Sequence, residues 1–158
     1  LEFSGSDALT TKEDITRFMA EVFPNSRFTI VEAKEKAATI RRRVTQNDIR
    51  PGGTVSGPTL MATADVALYV AIHATIGITP LAVTSSLNIN FLRKPAADKD
   101  ILAVCKLLKV GRTLAVGEVS LYSQGVDEPV AHVVGTYAIP NGRQAQRHAA
   151  DEPPRSEI

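Results

Sequence analysis

RPGGTVSGPTLMATADVALYVAIHATI, Arg50 to Ile76, decides the fold. Its opening, Arg50-Pro51-Gly52-Gly53-Thr54-Val55-Ser56-Gly57-Pro58, is the strongest loop signal in the chain. Thr59 to Ile76 follows without a break, long enough for about five helical turns at ~3.6 residues each. Leu60, Met61, Ala64, Ala67, Leu68, Val70, Ala71 and Ile72 put apolar side chains on nearly every face of that helix. A helix that is apolar all round is buried on most sides. Its most apolar run, Val66 to Ile78, contains His73 and falls short of the ~20 residues that span a bilayer, so a core helix is expected.

Beyond the helix the periodicity changes to two. Leu81, Val83, Ser85, Leu87, Ile89 and Phe91 alternate with Ala82, Thr84, Ser86, Asn88, Asn90 and Leu92, which predicts a strand with an apolar inner row and a polar outer row. Ile101 to Val110, Arg112 to Gln124 and Pro129 to Pro140 read as three more long strands, with turns at Gly111 and at Gly125-Val126-Asp127-Glu128. Upstream of the loop, Phe28 to Ala33 and Ala37 to Thr45 read as strands joined near Lys34-Glu35-Lys36. Arg41-Arg42-Arg43 on the second of these is expected to be a solvated face. Still further upstream, Thr10-Thr11-Lys12-Glu13-Asp14 marks a helix start, and Ile15, Phe18, Met19 and Val22 form its stripe up to Pro24-Asn25. The predicted organisation is an N-terminal helical segment over 1–27, one α+β domain over 28–140 with a long antiparallel sheet around the apolar helix, and a polar flexible tail over 141–158.

Composition narrows the function. Eighteen basic and 17 acidic residues give a formal charge of +1, too balanced for a nucleic-acid surface. The single cysteine, Cys105, excludes an intrachain disulfide, and three scattered histidines lack zinc spacing, so no metal site is expected. With Leu1 to Glu13 mixed and polar, no signal peptide is expected, and a cytoplasmic protein is. His73 and His132, in apolar stretches, read as satisfied packing residues.

Asp65 is the anomaly. An unpaired carboxylate inside an apolar helix costs several kcal/mol. Either it faces a solvent gap or pairs with an arginine, or burial makes it a stronger base for chemistry. At the start of the same helix, Ser56-Gly57-Pro58-Thr59 leaves the N–H groups of Gly57 and Thr59 at the positive end of the dipole, a place for an oxyanion or for an ordinary helix start. Gly57 and Asp65 stand eight residues apart, ~12 Å along one axis. Both must come within ~3 Å of a reacting group to act on it. Acting together, they must come from two protomers, which implies a two-fold dimer. The polar row Thr84, Ser86, Asn88 and Asn90 suggests a strand able to pair edge to edge in that dimer, with a tetramer as a further step.

The segment Arg50 to Ile72, the strand Ser85 to Pro95 and the turn Lys109-Val110-Gly111-Arg112-Thr113 resemble the hotdog-fold acyl-CoA thioesterases of the phenylacetate-degradation and hydroxybenzoyl-CoA type. The resemblance covers roughly Phe28 to Ile139 and implies the hotdog fold. It implies a thioester hydrolase with Asp65 as general base or nucleophile and the Gly57 N–H as oxyanion donor. Coenzyme A enters as part of the substrate and no cofactor is required. Where the family carries an Asn or Gln, a His and a second Gly, this chain has Arg50, Ser56 and Pro58. Ser56, Thr59 and Arg50 become candidate substrate contacts, with Arg50 a possible partner of Asp65. Tyr69 sits where some relatives hold a water with a hydroxyl, and Arg93, Lys94, Lys109 and Arg112 are candidate partners of the coenzyme A phosphates. The hydratase branch of the fold is disfavoured by Val70 where it carries His, and the dehydratase branch by Ser56. The non-enzyme alternative is a hotdog dimer that binds acyl-CoA or an aryl ligand without turnover.

Overall fold

The computed structural model describes residues 10–140. The expected tail at 141–158 and residues 1–9 of the expected N-terminal segment lie outside the described residues. Helix α1 (Lys12–Val22) is followed by strands β1 (Phe28–Lys34) and β2 (Ala37–Arg42), a short hairpin β3 (Ile49–Arg50) and β4 (Thr54–Val55), and helix α2 (Gly57–Ile76). Strands β5 (Val83–Phe91), β6 (Ile101–Val110), β7 (Leu114–Ser123) and β8 (Ala131–Ala138) complete the chain. Six strands form one antiparallel sheet in the order β1-β2-β6-β7-β8-β5, so β5 is an edge.

Each element follows from local chemistry. Thr11 and Asp14 form a reciprocal capping box at the start of α1, as the Thr-x-x-acid spacing predicts. Ile15 and Met19 on its inner stripe are buried. Ser56 caps α2, which therefore begins two residues before the expected Thr59, with Pro58 in the first turn where its missing N–H is harmless.

Helix α2 is 20 residues long, enough by length and mean hydropathy to cross a membrane, where the apolar run alone looked too short. Most of it is covered by the sheet, as a core helix should be. The approach is close: Leu68 sits over Gly117 and Gly135, which pair across β7 and β8. A Cβ on Gly117 or Gly135 would come within 2.7 Å or 2.5 Å of a Leu68 methyl, so any larger residue at either position forces the buried Leu68 to shift. Leu60, Leu68 and Ile72 of the helix share the buried core with Ile40, Ile101, Val119 and Leu121 of the sheet. At roughly 1.5–3 kcal/mol per large apolar side chain, this layer is the main stabilising term.

Strand β5 departs from strict alternation. A β-bulge between Thr84 and Ser86 makes the strand change phase. Ser86, Asn88 and Asn90 lie on the outer side as expected, whereas Thr84 pairs with the buried Tyr137 and turns inward. Val83, expected in the core row, is 59% exposed. The arginine run is also divided. Arg41 and Arg43 are exposed as expected, but the β2 pleat turns Arg42 inward.

Candidate active site

Two regions of α2 carry the expected chemistry, and in one protomer they are separate. Asp65 lies midway along the helix, where the sheet ends of β5 and β8 leave its inner side half-covered. Oxygen Oδ1 of its carboxylate accepts hydrogen bonds from Thr84 Oγ1 at 2.5 Å and from the Tyr137 hydroxyl at 2.6 Å. Tyr137 also reaches the Asp65 carbonyl at 3.1 Å. Both hydroxyls donate to that one oxygen and fill its acceptor sites. Oδ2 makes no hydrogen bond to the described residues. Asp65 thus pairs with hydroxyls and, among the described residues, forms no ion pair with Arg50 or another arginine.

Around this carboxylate is a cavity of about 330 Å³, walled mainly by apolar groups that include Phe23, Phe28, Val66, Tyr69 and Ala82. Burial pushes the Tyr137 phenol well above its ordinary range, and the hydrogen bond to Asp65 adds to the effect, so Tyr137 stays a neutral donor. Tyr69 lines the cavity, but its hydroxyl donates to the Pro80 carbonyl at 3.0 Å. Burial raises its pKa too. His73, one turn further on, packs 4.1 Å from the Tyr69 ring, edge to face. Its Nδ1 accepts from the Thr79 N–H at 3.0 Å, and its buried Nε2 makes no hydrogen bond. Burial holds its pKa down to about 4, so at neutral pH it is an uncharged packing residue, with one ring nitrogen unsatisfied.

At the start of α2 the surroundings are polar. Gly57, the first helical residue after the Ser56 cap, has an N–H with no acceptor inside the helix. A Cβ on Gly57 would lie 3.1 Å from the Phe91 ring, so glycine lets the end of β5 close over the helix start. Ser56 and Thr59, expected at the substrate, are used in the scaffold. Thr59 is buried and donates to Asp48 Oδ1 at 3.0 Å, which leaves Ser56 as donor in its 2.9 Å contact with the Thr59 hydroxyl. The Thr59 N–H, expected free, faces Ser56 Oγ at 3.4 Å.

Asp48 is the residue that sequence reasoning missed here. Only 4% exposed, it accepts from Arg42 at 2.7 Å and from the Thr45 N–H at 2.9 Å, and its own carbonyl accepts from the Ser56 N–H at 2.8 Å. Burial pushes its carboxyl up, but the hydrogen bonds from Arg42, Thr45 and Thr59 more than reverse this, leaving it below the ordinary value.

A more open cavity of about 640 Å³ lies beside Gly57, bordered by Arg50, Phe91, Arg93 and Lys94. Arg93 is also held by Glu128 at 2.9 Å and by the Pro129 carbonyl at 2.8 Å. Lys109 and Arg112 are elsewhere, at the β6–β7 turn, where Leu114 adjoins Ala138 and through it Val83. The four expected phosphate partners therefore sit at opposite ends of the sheet within one protomer. His132, expected in packing, is partly exposed and faces Glu118 at 3.3 Å.

The thioesterase superfamily model matches residues 52–130, which contain the helix, both candidate groups and the three strands from β5 to β7. A structure from a Silicibacter species, assigned as a thioesterase, shares 41% identity, with 89% of this chain and 99% of that one covered at a TM-score of 0.78. The phenylacetic acid degradation operon protein of Escherichia coli is 21% identical over 80% of this chain and 92% of its own, with a TM-score of 0.65. A Streptococcus mutans protein bound to acetyl-CoA is 20% identical over 74% and 91%, also at 0.65. No curated protein matches. The sheet wrapped around one apolar helix is the hotdog fold that the resemblance implied, and this chain belongs to the thioesterase superfamily.

Proposed function

We propose that the protein hydrolyses acyl-CoA or aryl-CoA thioesters at a site shared between two protomers. One observation carries this reading: a carboxylate with one oxygen held by two hydroxyls and the other unbonded among the described residues, facing an apolar cavity. Acting as a base, Asp65 takes a proton from water while the water oxygen adds to the thioester carbonyl carbon. The carbonyl oxygen becomes an oxyanion, which the Gly57 N–H of the partner stabilises at the positive end of its helix. Collapse of this intermediate breaks the C–S bond, and the thiolate leaves with a proton. Acting as a nucleophile, Asp65 would first form a mixed anhydride that water then cleaves.

The edge strand supports sharing. Antiparallel pairing of β5 with its copy across a two-fold sets the Phe91 end of one strand beside the Val83 end of the other. Gly57 travels with Phe91, and the Asp65 cavity with Val83 and Thr84. Arg93 and Lys94 come with the same Phe91 end, while Lys109 and Arg112 belong to the Val83 end. The four cations thus converge only between protomers, where coenzyme A phosphates would lie. A fold relative that carries acetyl-CoA supports the choice of carrier. A tetramer would be formed from two such dimers.

Arg50 and Ser56, in place of an amide and an imidazole, favour the second reading, a hotdog dimer that holds the ligand without cleaving it. Thiol release from a panel of short, long and aromatic acyl-CoAs decides between them. Turnover by the native protein, reduced by about 10²–10⁴-fold in Asp65→Asn, supports hydrolysis. Binding with no thiol release from any member of the panel would establish the non-catalytic reading.

A further inference from the structure

A second cavity lies back to back with the one at Asp65. It occupies about 410 Å³ between α1, β1 and the outer side of α2. Met19, Phe23, Phe28 and Val66, with the small polar Ser26, border both cavities and form a common wall. Two of the four apolar members are fixed. Val66 belongs to the core helix, and Phe28 carries the Arg42 guanidinium 5.0 Å from its ring centroid, with Arg42 itself held by Asp48. The other two are adjustable. Met19 is unbranched with three rotatable side-chain bonds, and Phe23, just past the end of α1, is 46% exposed. Met19 reaches the cavities from the last turns of α1 and Phe23 from the residue that caps it.

We infer, on the thioester-hydrolase reading above, that the Asp65 cavity takes the acyl group and that Met19 and Phe23 set its length limit. The polar groups Asp65, Thr84 and Tyr137 collect at one end of the cavity, and the wall at Met19 and Phe23 is apolar. That layout suits a carbonyl held at Asp65 with its hydrocarbon pointing away from it. At ~30 Å³ per non-hydrogen atom, about a water's share of liquid volume, the 330 Å³ cavity admits about ten such atoms. The substrate class is therefore medium-chain or single-ring aryl acyl. Longer chains are admitted only when the wall gives way into the second cavity.

The test uses S-alkyl coenzyme A thioethers from ethyl to hexadecyl, with phenethyl, which bind but cannot be hydrolysed. Affinities are measured by calorimetry for the full chain, Met19→Ala and Phe23→Ala. Phe23 is half in solvent, so its variant remains informative if Met19→Ala melts early. The native protein should bind more tightly up to about octyl and phenethyl, then lose affinity beyond. In the variants that break should move to longer chains, with the dodecyl-to-butyl affinity ratio rising about tenfold or more. Identical profiles in the native protein and in a folded variant would overturn the length-limit role. Matching acyl-CoAs are assayed in parallel for thiol release. A shifted binding profile with no thiol release supports the chamber and sinks the hydrolysis reading, whereas turnover with unshifted profiles does the reverse.

Discussion

The two ends of the proposed site, eight residues apart on α2, are built by opposite means. Around Gly57 the protein places a buried carboxylate, Asp48, and satisfies it with two arginines, Arg42 and the more distant Arg27, two threonine hydroxyls and a backbone N–H. Around Asp65 it places a carboxylate with one oxygen satisfied and the other unbonded among the described residues. The first is a closed network, as expected of a group that holds structure, because a buried charge lacking any partner is destabilising. The second is left incomplete on the side of the cavity, as expected of a group that reacts. Two aspartates on neighbouring segments thus have different predicted roles, distinguished by how many of their lone pairs are filled.

The largest expected effect tests whether the two ends work together across protomers. Asp65→Asn homodimers, which lose the base, and Gly57→Val homodimers, whose added side chain covers the N–H donor, should each lose about 10²-fold or more of thiol release. Heterodimers of the two should regain activity, because one of their sites inherits both intact halves. Confirmed heterodimers that stay inactive would place both groups in one chain and break the shared-site model.

Next in size is Asp48→Asn, which should act on stability where Asp65→Asn acts on rate. Breaking a buried ion pair from one side costs about 3–5 kcal/mol, read as a lower urea midpoint. Because the folded pKa of Asp48 lies below its ordinary 3.8, its contribution is present above that pH and fades as pH falls through the folded value. The native and variant midpoints should therefore converge in acid. A variant as stable as the native protein at neutral pH would erase the contrast between the two aspartates.

Tyr137→Phe sharpens the Asp65 side. Loss of a hydrogen bond to a charged group, about 1.5–3 kcal/mol, should lower kcat roughly ten- to hundred-fold with KM little changed. A change confined to KM would move Tyr137 from the carboxylate to the ligand. The smallest expected effect concerns the cations. Arg93→Gln and Lys109→Gln should each raise KM a few-fold, and less so at high salt, since partly exposed phosphate contacts are screened. An effect of Arg93→Gln alone would argue that the two ends of the sheet do not converge.

Most of the fold was legible because its signals are local: the loop before α2, an apolar helix, period-two strands and the Thr11 cap all lie within a few residues of what they determine. Strand β6 has the limits that its sequence pattern predicts, Ile101 to Val110. The site was legible only along the helix, where Asp65 and Gly57 stand out by composition and spacing. Its supporting groups were not. Tyr137 lies 72 residues from Asp65 in sequence and meets it only through the pairing of β5 and β8. Asp48, in a loop without periodicity, gains meaning only when Arg42 turns inward and Thr59 folds over it. Thr84 lies on the side opposite to the predicted one because alternation, counted from either half of β5, cannot register one surplus residue.

That surplus residue has a bearing on how this strand tolerates changes of length. Ser85 is unpaired between Thr84, opposite Tyr137, and Ser86, opposite Thr136. Deleting it would flatten the bulge and leave Thr84 facing Asp65, Ser86 outside and Leu87 inside. Deleting Asn88 instead would let the bulge absorb the gap, but it would turn Leu87 into solvent and Ser86 into the core. The strand therefore has one position where a residue is dispensable without disturbing either face, and it lies next to the carboxylate on which the proposed chemistry depends.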